Sequence, residues 1–424
     1  MMRTGIHNFV TPPLLAGYLN PLFNQVAGIL GTLPALPAIP ALPNLPAVKY
    51  YLYATGGVRD VLAPAQQPIL AQNVMDYFQV TRGIPNIAYN YQVITGTQEA
   101  TFGWVAANRS LTRPFDAGYV EMGGATAQIA FPLRPANAVI AAQVVAQIGD
   151  PMVATVEAVG AQQLFLASYP LGAEGGYNAY ITALVQQGAN FGLTANVNGT
   201  MVCVHKYLYV MTLIFSQSQI FNDPSRPVGF NDEPAPNGLG IIRPRPTGPA
   251  VGQNWPNAQS NLAKTLHLVE QAITTAFPNV LDTRPLDNTL QNYDFIGASN
   301  FWWTLGAALN VKGALNLSTL RNRIKDSSRM TFADIQAMHP GATLAELDRY
   351  RKATFTARWT MQVLRSAFGL AVSDQPNVMG QEITFTPYNG GGPDRNRFSW
   401  TLGMAVLLAS PALNDLEPLL IRAP

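Results

Sequence analysis

Two stretches of this chain lead from a short apolar run directly into a pair of glycines. They read "YLYATGGVRDV" at residues 51–61 and "VEMGGATAQIAF" at residues 120–131. A run of apolar, β-branched or aromatic residues that ends at glycine indicates a strand followed by a turn. A Gly-Gly pair also lets the backbone approach a ligand without a side chain in the way. The pattern therefore predicts either a plain tight turn or a phosphate-binding loop at the end of each strand.

Further segments alternate between strand and helix patterns. The runs "VKYYLYAT", "YQVITG", "GYVEMGG" and "AQIAFPL" predict strands. Apolar residues spaced three and four apart from Leu262 to Phe277 predict one face of a helix, and Thr343 followed by Glu346 predicts a capping box. Strands that alternate with helices indicate an α/β architecture.

Two proline-rich segments interrupt these patterns. Proline recurs every third residue in the range 34–46, which predicts a polyproline II rod that serves as a stiff connector or as a docking surface. The range 221–256 is dense in proline, glycine and asparagine and predicts a long irregular surface loop.

Composition excludes several classes of function. Of 424 residues, 48% are hydrophobic and 12% charged, and the formal net charge is +2. This balance supplies no broad positive field for a nucleic-acid backbone, so we predict no nucleic-acid partner. The single cysteine, Cys203, excludes an internal disulfide. The apolar run "TLGMAVLLASPAL" is too short for a bilayer span, and the start "MMRTGIHNFVTPPLL" lacks the pattern of a signal peptide.

Glycine-bearing segments recur in an order that resembles a known family. "ITGTQEATFGWVAANRSL" at residues 94–111 adds a third such element, and "YPLGAEGGYNAYITAL", "DFIGASNFWWT" and "RFSWTLGMAVLL" follow it. This ordered set resembles the signature segments of the GDA1/CD39 family, the apyrases or nucleoside triphosphate diphosphohydrolases. Their segments read like "YATAGMR", "GxEEGxYGWxxxN", "DLGGASTQIAF", "LGYGxNxAR", "FSAFYYT" and "SWxLGA".

The resemblance implies a catalytic set. Glu99 matches the carboxylate that takes a proton from the water attacking the terminal phosphate. Thr126 falls where the family has a serine that orients the same water, and Gln128 matches a glutamine of the fourth segment.

The resemblance also implies a set of binding residues. A hydroxyl, a cation and a glycine-rich turn would contact phosphate, and these are Thr55, Arg59, Gly123, Gly124 and Ala125. The aromatic residues that would stack on the nucleotide base are Phe301, Trp302 and Trp303. Glu121 stands where the family has an aspartate that holds a divalent cation, Mg²⁺ or Ca²⁺, through coordinated water. The Cys-x-His spacing of Cys203 and His205 lacks two further ligands nearby and predicts no metal site.

The implied fold is a two-lobed, actin-like and ribonuclease-H-like α/β architecture. We predict a first lobe over residues 1–130, a second lobe over 131–385, and a return segment to the first lobe over 386–424. The family's first segment, "DAGSSGTR" or similar, finds no match, and "TGIHNFVTPP" at residues 4–13 resembles the stretch that follows it. We therefore expect a first lobe that is incomplete at its N-terminus.

Two functions from different classes fit this sequence. The first is metal-dependent hydrolysis of nucleoside tri- and diphosphates, with Glu99 activating the water. The second is a catalytically impaired member of the same fold that binds or self-assembles as a filament or surface protein, because an open sheet edge can pair with another chain. The corresponding location would be secreted or extracellular, and a homo-oligomer fits the second function.

Overall fold

The computed structural model describes most of the chain, and the architecture below concerns these residues alone. They are 6–32, 50–85, 89–110, 116–187, 194–197, 200–203, 219–223, 225, 233–234, 241–244, 265, 268–275, 295–301, 304, 309, 313–315, 317–327, 330–343, 347, 350, 352–368 and 383–385. They fall into two compact units, one within Met1–Glu99 and one within Ala100–Pro424.

The described chain contains both helices and strands. The helices are α1 (Pro12–Thr32), α2 (Gln67–Asp76), α3 (Gly96–Ser110), α4 (Pro135–Ile148), α5 (Ala173–Gln187), α6 (268–275), α7 (Leu317–Ser327), α8 (Phe332–Met338) and α9 (Ala353–Ser366). Shorter 3₁₀ or π-helical turns are Ile6–Asn8, Gly57–Val61, Pro64–Gln66 and Tyr77–Thr81. The strands are β1 (Tyr50–Ala54), β2 (Tyr89–Val93), β3 (Gly118–Met122), β4 (Ala127–Pro132), β5 (Ala154–Val159), β6 (Gln162–Tyr169), β7 (Thr194–Val197), β8 (Thr200–Cys203), β9 (Gln219–Asp223), β10 (Glu233–Pro234), β11 (Ile241–Pro244), β12 (Phe295–Ser299), β13 (Gly313–Leu315) and β14 (Ile383–Phe385).

The four strands predicted from apolar runs are confirmed as β1, β2, β3 and β4. Residues 268–275 of the predicted helical face are helical as well. The proline rod at 34–46, the return segment at 386–424 and Glu346 of the predicted capping box lie outside the described residues. The lobe boundaries stay predictions.

The larger unit is built on a mixed sheet with a ribonuclease-H-like core. Its described strands follow the order β13-β14-β12-β3-β4-β6-β5. Strands β3, β4 and β6 are antiparallel neighbours, whereas β12 and then β14 run parallel to β3 on its other side. Three antiparallel strands followed by two parallel ones is the arrangement that defines the ribonuclease-H-like sheet, so the predicted fold class is confirmed.

Both central strands of this sheet are buried along their whole length. Every residue of β3 and β4 is buried, as expected for strands covered by helices on both faces. One apolar cluster joins the sheet to the helices α4, α5, α7 and α9. In α9 the rings of Phe355 and Trp359 stack with centroids 5.9 Å apart, and both are fully buried. This packing fixes the ends of β3 and β4 in place.

A second sheet of the larger unit corrects one prediction. Its described strands follow the order β10-β11-β9-β7-β8. The range 221–256 was predicted to be irregular, and that is wrong for the end of β9 and for β10 and β11. In β11, Ile241 and Ile242 pair in parallel register with Ile220 and Phe221 of β9. The prolines Pro234 and Pro244 stand at strand ends, where a missing N–H is tolerated.

The smaller unit holds a parallel pair of strands against helices. Strand β1 pairs with β2 in register from Tyr50↔Tyr89 to Ala54↔Val93. Its core joins these strands to α1, α2 and the Tyr77–Thr81 turn, with Leu15, Leu70 and Val74 fully buried. The turns that follow β1 and β2 carry Arg59 and Glu99, which were predicted from sequence as site residues.

Candidate active site

The turn between β3 and β4 is held by the start of helix α5. The carbonyl oxygens of Gly123, Gly124 and Ala125 accept hydrogen bonds from three successive backbone N–H groups. The donors are Ala173 at 2.9 Å, Glu174 at 2.9 Å and Gly172 at 3.0 Å, respectively. The first N–H groups of a helix have no partner inside the helix, so the turn acts as the cap of α5.

This capping fixes the direction of three N–H groups in the turn. In a trans peptide the C=O of one residue and the N–H of the next point to opposite sides. Because the carbonyls of residues 123–125 face α5, the N–H groups of Gly124, Ala125 and Thr126 point away from it. Among the described residues, these three N–H groups donate to no backbone carbonyl. Successive backbone N–H groups on one side of a turn form a binding site for an anion.

Two further glycines permit the close approach of α5, and sequence reasoning missed both. A Cβ atom at Gly172 would lie 2.3 Å from the carbonyl oxygen of Gly124. A Cβ atom at Gly176 would lie 2.3 Å from the indole ring of Trp359, whose Nε1 donates to the carbonyl of Leu171 at 2.9 Å. The glycine cluster in "LGAEGG" was the available signal. Its meaning depends on backbone and side-chain atoms far away in sequence.

The predicted pair Thr126 and Gln128 lies together next to the turn. Gln128 Nε2 donates to Thr126 Oγ1 at 2.7 Å and to Ser168 Oγ at 3.3 Å. All three side chains are buried. Since Thr126 accepts from the amide, its own hydroxyl proton can be directed to another oxygen. The structure thus brings together two of the three predicted catalytic residues and adds Ser168 to them.

Glu121 lies in β3 with both carboxylate oxygens engaged. Oε2 accepts a hydrogen bond from the Tyr119 hydroxyl at 2.6 Å, and Oε1 accepts one from the Ser299 hydroxyl at 2.5 Å. The side chain is 5% exposed. Burial raises the pKa of the Glu121 carboxyl above its ordinary value, and the hydrogen bonds from Ser299 and Tyr119 oppose that rise.

These contacts do not fit a cation bound directly by protein side chains. A hard divalent cation takes several oxygen ligands, and each ligand must be accessible to it. Within the described part of the chain, no three His, Cys, Asp or Glu residues come together in a way that could hold a metal ion. Glu121 is buried and already bonded on both oxygens. The predicted role of Glu121 at a cation stays a prediction from the resemblance alone.

Glu99, in the smaller unit, stands in the first turn of α3. A reciprocal capping box begins this helix, since Gln98 N donates to Thr95 Oγ1 at 3.0 Å and Thr95 N donates to Gln98 Oε1 at 2.8 Å. The N-terminal end of a helix favours a negative side chain. Glu99 is 5% exposed, and its Oε2 lies 4.0 Å from Nη2 of Arg59. The family resemblance of the segment at residues 94–111 predicted this carboxylate, and the cap explains its fixed position.

Arg59 joins the turn after β1 to the turn after β2. Its Nη1 donates to the carbonyl of Ile94 at 2.7 Å, and Nη2 lies 3.0 Å from a carboxylate oxygen of Asp60. The carbonyl of Thr55 accepts from the N–H groups of Val58 and Arg59. The guanidinium is therefore occupied by protein partners in this structure. Phosphate binding by Thr55 and Arg59 stays a prediction.

The aromatic segment is only partly described. Phe301 is fully buried and belongs to the apolar core of the larger unit, so it offers no open ring face to a nucleotide base. Trp302 and Trp303 lie outside the described residues. Base binding by this aromatic segment stays a prediction.

Known proteins similar to this chain are nucleotide phosphatases. The chain is 23% identical to the Golgi apyrase of Schizosaccharomyces pombe over 384 residues, which is 85% of this chain and 59% of the relative. It is 24% identical to ectonucleoside triphosphate diphosphohydrolase 7 of Homo sapiens over 386 residues, or 83% of this chain and 58% of the relative. The chain thus spans less than two thirds of the length of these relatives.

A solved structure is similar as well. The structure of a nucleoside triphosphate hydrolase from Neospora caninum matches 85% of this chain and 72% of the hydrolase chain, with 12% sequence identity and a TM-score of 0.49.

In the described residues, none of the helices has the length and apolar character that a bilayer crossing requires. The secreted location predicted above gains no support from the relatives, one of which is named as a Golgi enzyme.

The sequence profile of one family covers most of the chain. The GDA1/CD39 (nucleoside phosphatase) family matches residues 35–417. This range includes the β3–β4 turn, Glu99 and Arg59, and it agrees with the ordered segments found in the sequence. The chain therefore belongs to the GDA1/CD39 (nucleoside phosphatase) family.

Proposed function

We propose that this protein hydrolyses nucleoside tri- and diphosphates by attack of water on the terminal phosphorus. The observation that carries the proposal is the β3–β4 turn, which directs the N–H groups of Gly124, Ala125 and Thr126 to one side. Family membership supports the substrate class, since the relatives are named an apyrase and a nucleoside triphosphate diphosphohydrolase.

The turn would bind the phosphate oxygens that gain charge during the reaction. Fixed N–H dipoles stabilise developing negative charge without rearranging, which gives them more effect than mobile water. The Thr126 hydroxyl accepts from Gln128 and can donate its proton to the attacking water or to a phosphate oxygen. In this proposal, Thr126 and Gln128 orient the water, and the turn holds the phosphate.

Glu99 would act as the general base. It removes a proton from the water as the water oxygen bonds to phosphorus, and the bond to the bridging oxygen breaks. The products are inorganic phosphate and the shortened nucleotide. The capping box at Thr95 and the nearby Arg59 support this role because they hold the carboxylate in one position. A bound Mg²⁺ or Ca²⁺, as the resemblance implies, would screen the charge of the phosphate chain.

Phosphate release from ATP and ADP, with Mg²⁺ or Ca²⁺ present, tests this proposal. Glu99→Gln keeps the size of the side chain but removes its basicity, so we expect kcat to fall by about 10² to 10⁴. Glu270→Gln, at an exposed position on α6, is the matched control and should retain activity. Absence of phosphate release by the wild-type chain at high protein concentration would contradict the proposal and favour the binding or assembly function.

A further inference from the structure

A strained corner stands at the end of strand β12. Ser299 is the last residue of this strand and has φ 56°. Among the described residues, it is the one non-glycine with a positive φ. Residues with a side chain adopt this left-handed conformation rarely, and they keep it only where surrounding contacts require it. At this corner, the contacts are made by the side chains of Ser299 and of the next residue, Asn300.

Glu121 holds Ser299 in this conformation. Strands β3 and β12 are parallel neighbours, and the Ser299 hydroxyl reaches across to Glu121 Oε1 at 2.5 Å. Tyr119, on the same face of β3 two residues earlier, fixes the other oxygen at 2.6 Å. The carboxylate is thus bound on both sides in a buried site, where hydrogen bonds are strong. The Glu121 side chain therefore connects the corner at Ser299 to β3, the strand that leads into the β3–β4 turn.

Asn300 uses this corner to contact the turn. Its Nδ2 donates to the carbonyl of Met122 at 2.9 Å and to the carbonyl of Gly123 at 3.1 Å. The Gly123 carbonyl also accepts from Ala173 N at 2.9 Å. It is therefore bound by the side chain of Asn300 and by the first turn of α5. This carbonyl belongs to the same peptide as the Gly124 N–H, so its direction sets the direction of that N–H.

We propose that Ser299 and Asn300 form a clamp that positions the β3–β4 turn for phosphate, and that Glu121 serves to hold the clamp. The part concerning phosphate rests on the proposed function. The clamp assigns Glu121 a structural partner, Ser299, in place of a directly bound cation. Asn300 and Ser299 are positioning residues in this scheme, because they act through the backbone N–H groups of the turn.

Hydrogen exchange of the turn tests the clamp without any need for activity. In Asn300→Ala the carbonyl of Gly123 loses one of its two hydrogen-bond donors, so we expect faster exchange of the amides of Gly123 and Ala173, whose hydrogen bonds to Thr126 and Gly123 close the turn. The matched control is Asn73→Ala, which removes another asparagine whose Nδ2 donates to a backbone carbonyl, that of Val10 at 2.6 Å. The control should leave exchange of the turn unchanged. Equal turn exchange in wild type and Asn300→Ala would overturn the proposal.

Kinetics give a second readout that a merely structural role would not move. We expect Asn300→Ala to lower kcat for ADP by about tenfold or more with a smaller change in KM, since the turn acts most strongly on charge that develops during the reaction. Asn300→Asp keeps the shape but removes the donors, and it should show the same fall. Parallel changes in kcat for Asn300→Ala and the Asn73→Ala control would overturn the clamp.

Ser299→Gly separates the outcomes if Asn300→Ala fails to fold. Glycine adopts a positive φ without strain, so we expect this variant to keep the backbone corner while it loses the hydroxyl link to Glu121. We expect faster exchange of the Gly123 and Ala173 amides in Ser299→Gly, and unchanged exchange would overturn the role of Glu121. If the wild-type chain releases no phosphate but the exchange results hold, the clamp stands and the proposed function fails.

Discussion

The two Gly-Gly turns look alike in sequence and differ in structure. Both follow a strand, "YATGG" after β1 and "VEMGG" after β3. After β1 the backbone enters a helical turn at once, with Gly56 at φ −46° and ψ −33°. The N–H groups of Val58 and Arg59 are then used by the carbonyl of Thr55. After β3 the chain reverses into β4, and the carbonyls of residues 123–125 face α5, so the next three N–H groups point away from that helix.

The difference teaches that a Gly-Gly pair does not by itself define a phosphate loop. The neighbour of each turn decides which backbone groups remain available. Gly57 is covered by the ring of His7, since a Cβ atom there would lie 2.4 Å from Nδ1. Gly124 lies against the start of α5, whose backbone N–H groups bond the carbonyls of the turn. The N–H groups of the turn itself remain available. We therefore expect the β3–β4 turn to carry the stronger anion binding.

The largest effect should come from adding a side chain where α5 contacts the β3–β4 turn. In Gly172→Ala the new Cβ atom would lie 2.3 Å from the Gly124 oxygen, so the backbone must shift. We expect a loss of about 1–3 kcal/mol in the free energy of unfolding. A displacement of about 1 Å in the turn should also lower kcat by roughly 100-fold. Urea unfolding and phosphate release measure the two effects.

Gly175→Ala is the matched control for this change. A Cβ atom at Gly175 would be 4.0 Å from the nearest neighbouring atom, the carbonyl oxygen of Ala125, which is an ordinary contact. The substitution should stabilise α5 by about 0.5–1 kcal/mol, because alanine favours a helix more than glycine does. If both variants behave alike, α5 does not hold the turn in the way described.

A smaller effect on phosphate release is expected from a change at Arg59, in the smaller unit. Lysine presents one compact ammonium, so Arg59→Lys cannot keep the hydrogen bond to the Ile94 carbonyl together with the contacts to Asp60 and Glu99. We expect kcat to fall by roughly tenfold, since the carboxylate of Glu99 becomes less well placed. The free energy of unfolding should change by less than about 1 kcal/mol, as is usual for partly exposed ion pairs.

Arg82→Lys provides the comparison for Arg59→Lys within the same unit. Arg82 donates to the Tyr77 hydroxyl at 2.8 Å and to Asn20 Oδ1 at 2.7 Å, and neither partner belongs to the candidate site. Its replacement should leave phosphate release unchanged. A fall in kcat equal to that of Arg59→Lys would mean that the position of Glu99 does not depend on Arg59.

The smallest effect concerns stability at Glu121 as a function of pH. Burial raises the pKa of this carboxyl in the folded protein. The stability that the neutral carboxyl contributes is complete below the unfolded pKa of about 4.3 and is lost as pH rises through the folded pKa. Glutamine does not titrate. In EDTA-containing buffer, the free energy of unfolding of Glu121→Gln relative to wild type should therefore increase as pH rises above about 4.3.

Glu270→Gln, at an exposed position, controls for the loss of a titrating carboxyl. Its unfolding free energy relative to wild type should show little dependence on pH. If Glu121→Gln and Glu270→Gln give the same pH profile, the Glu121 carboxyl is not buried in the folded protein as the structure has it.

The sequence predicted local elements well because their causes are local. Each of the apolar runs that form β1 to β4, and the glycine pair at 123 and 124, is a stretch of adjacent residues. The irregular loop predicted for 221–256 was wrong in part, because β11 forms by backbone pairing with β9, which no local run of residues shows. Phe301 belongs to an aromatic segment, but packing against distant apolar residues placed it in the core.

By itself, the sequence determined the family, the α/β class, the strands around the glycine turns and the choice of Glu99, Thr126 and Gln128. Tertiary structure alone decided which groups of the β3–β4 turn face outward. That decision depends on Gly172, whose N–H bonds the turn, and on Asn300, which is 177 residues beyond Gly123. Hydrogen bonds between such distant residues exist only after the sheet and its helices have assembled, so no local pattern encodes them.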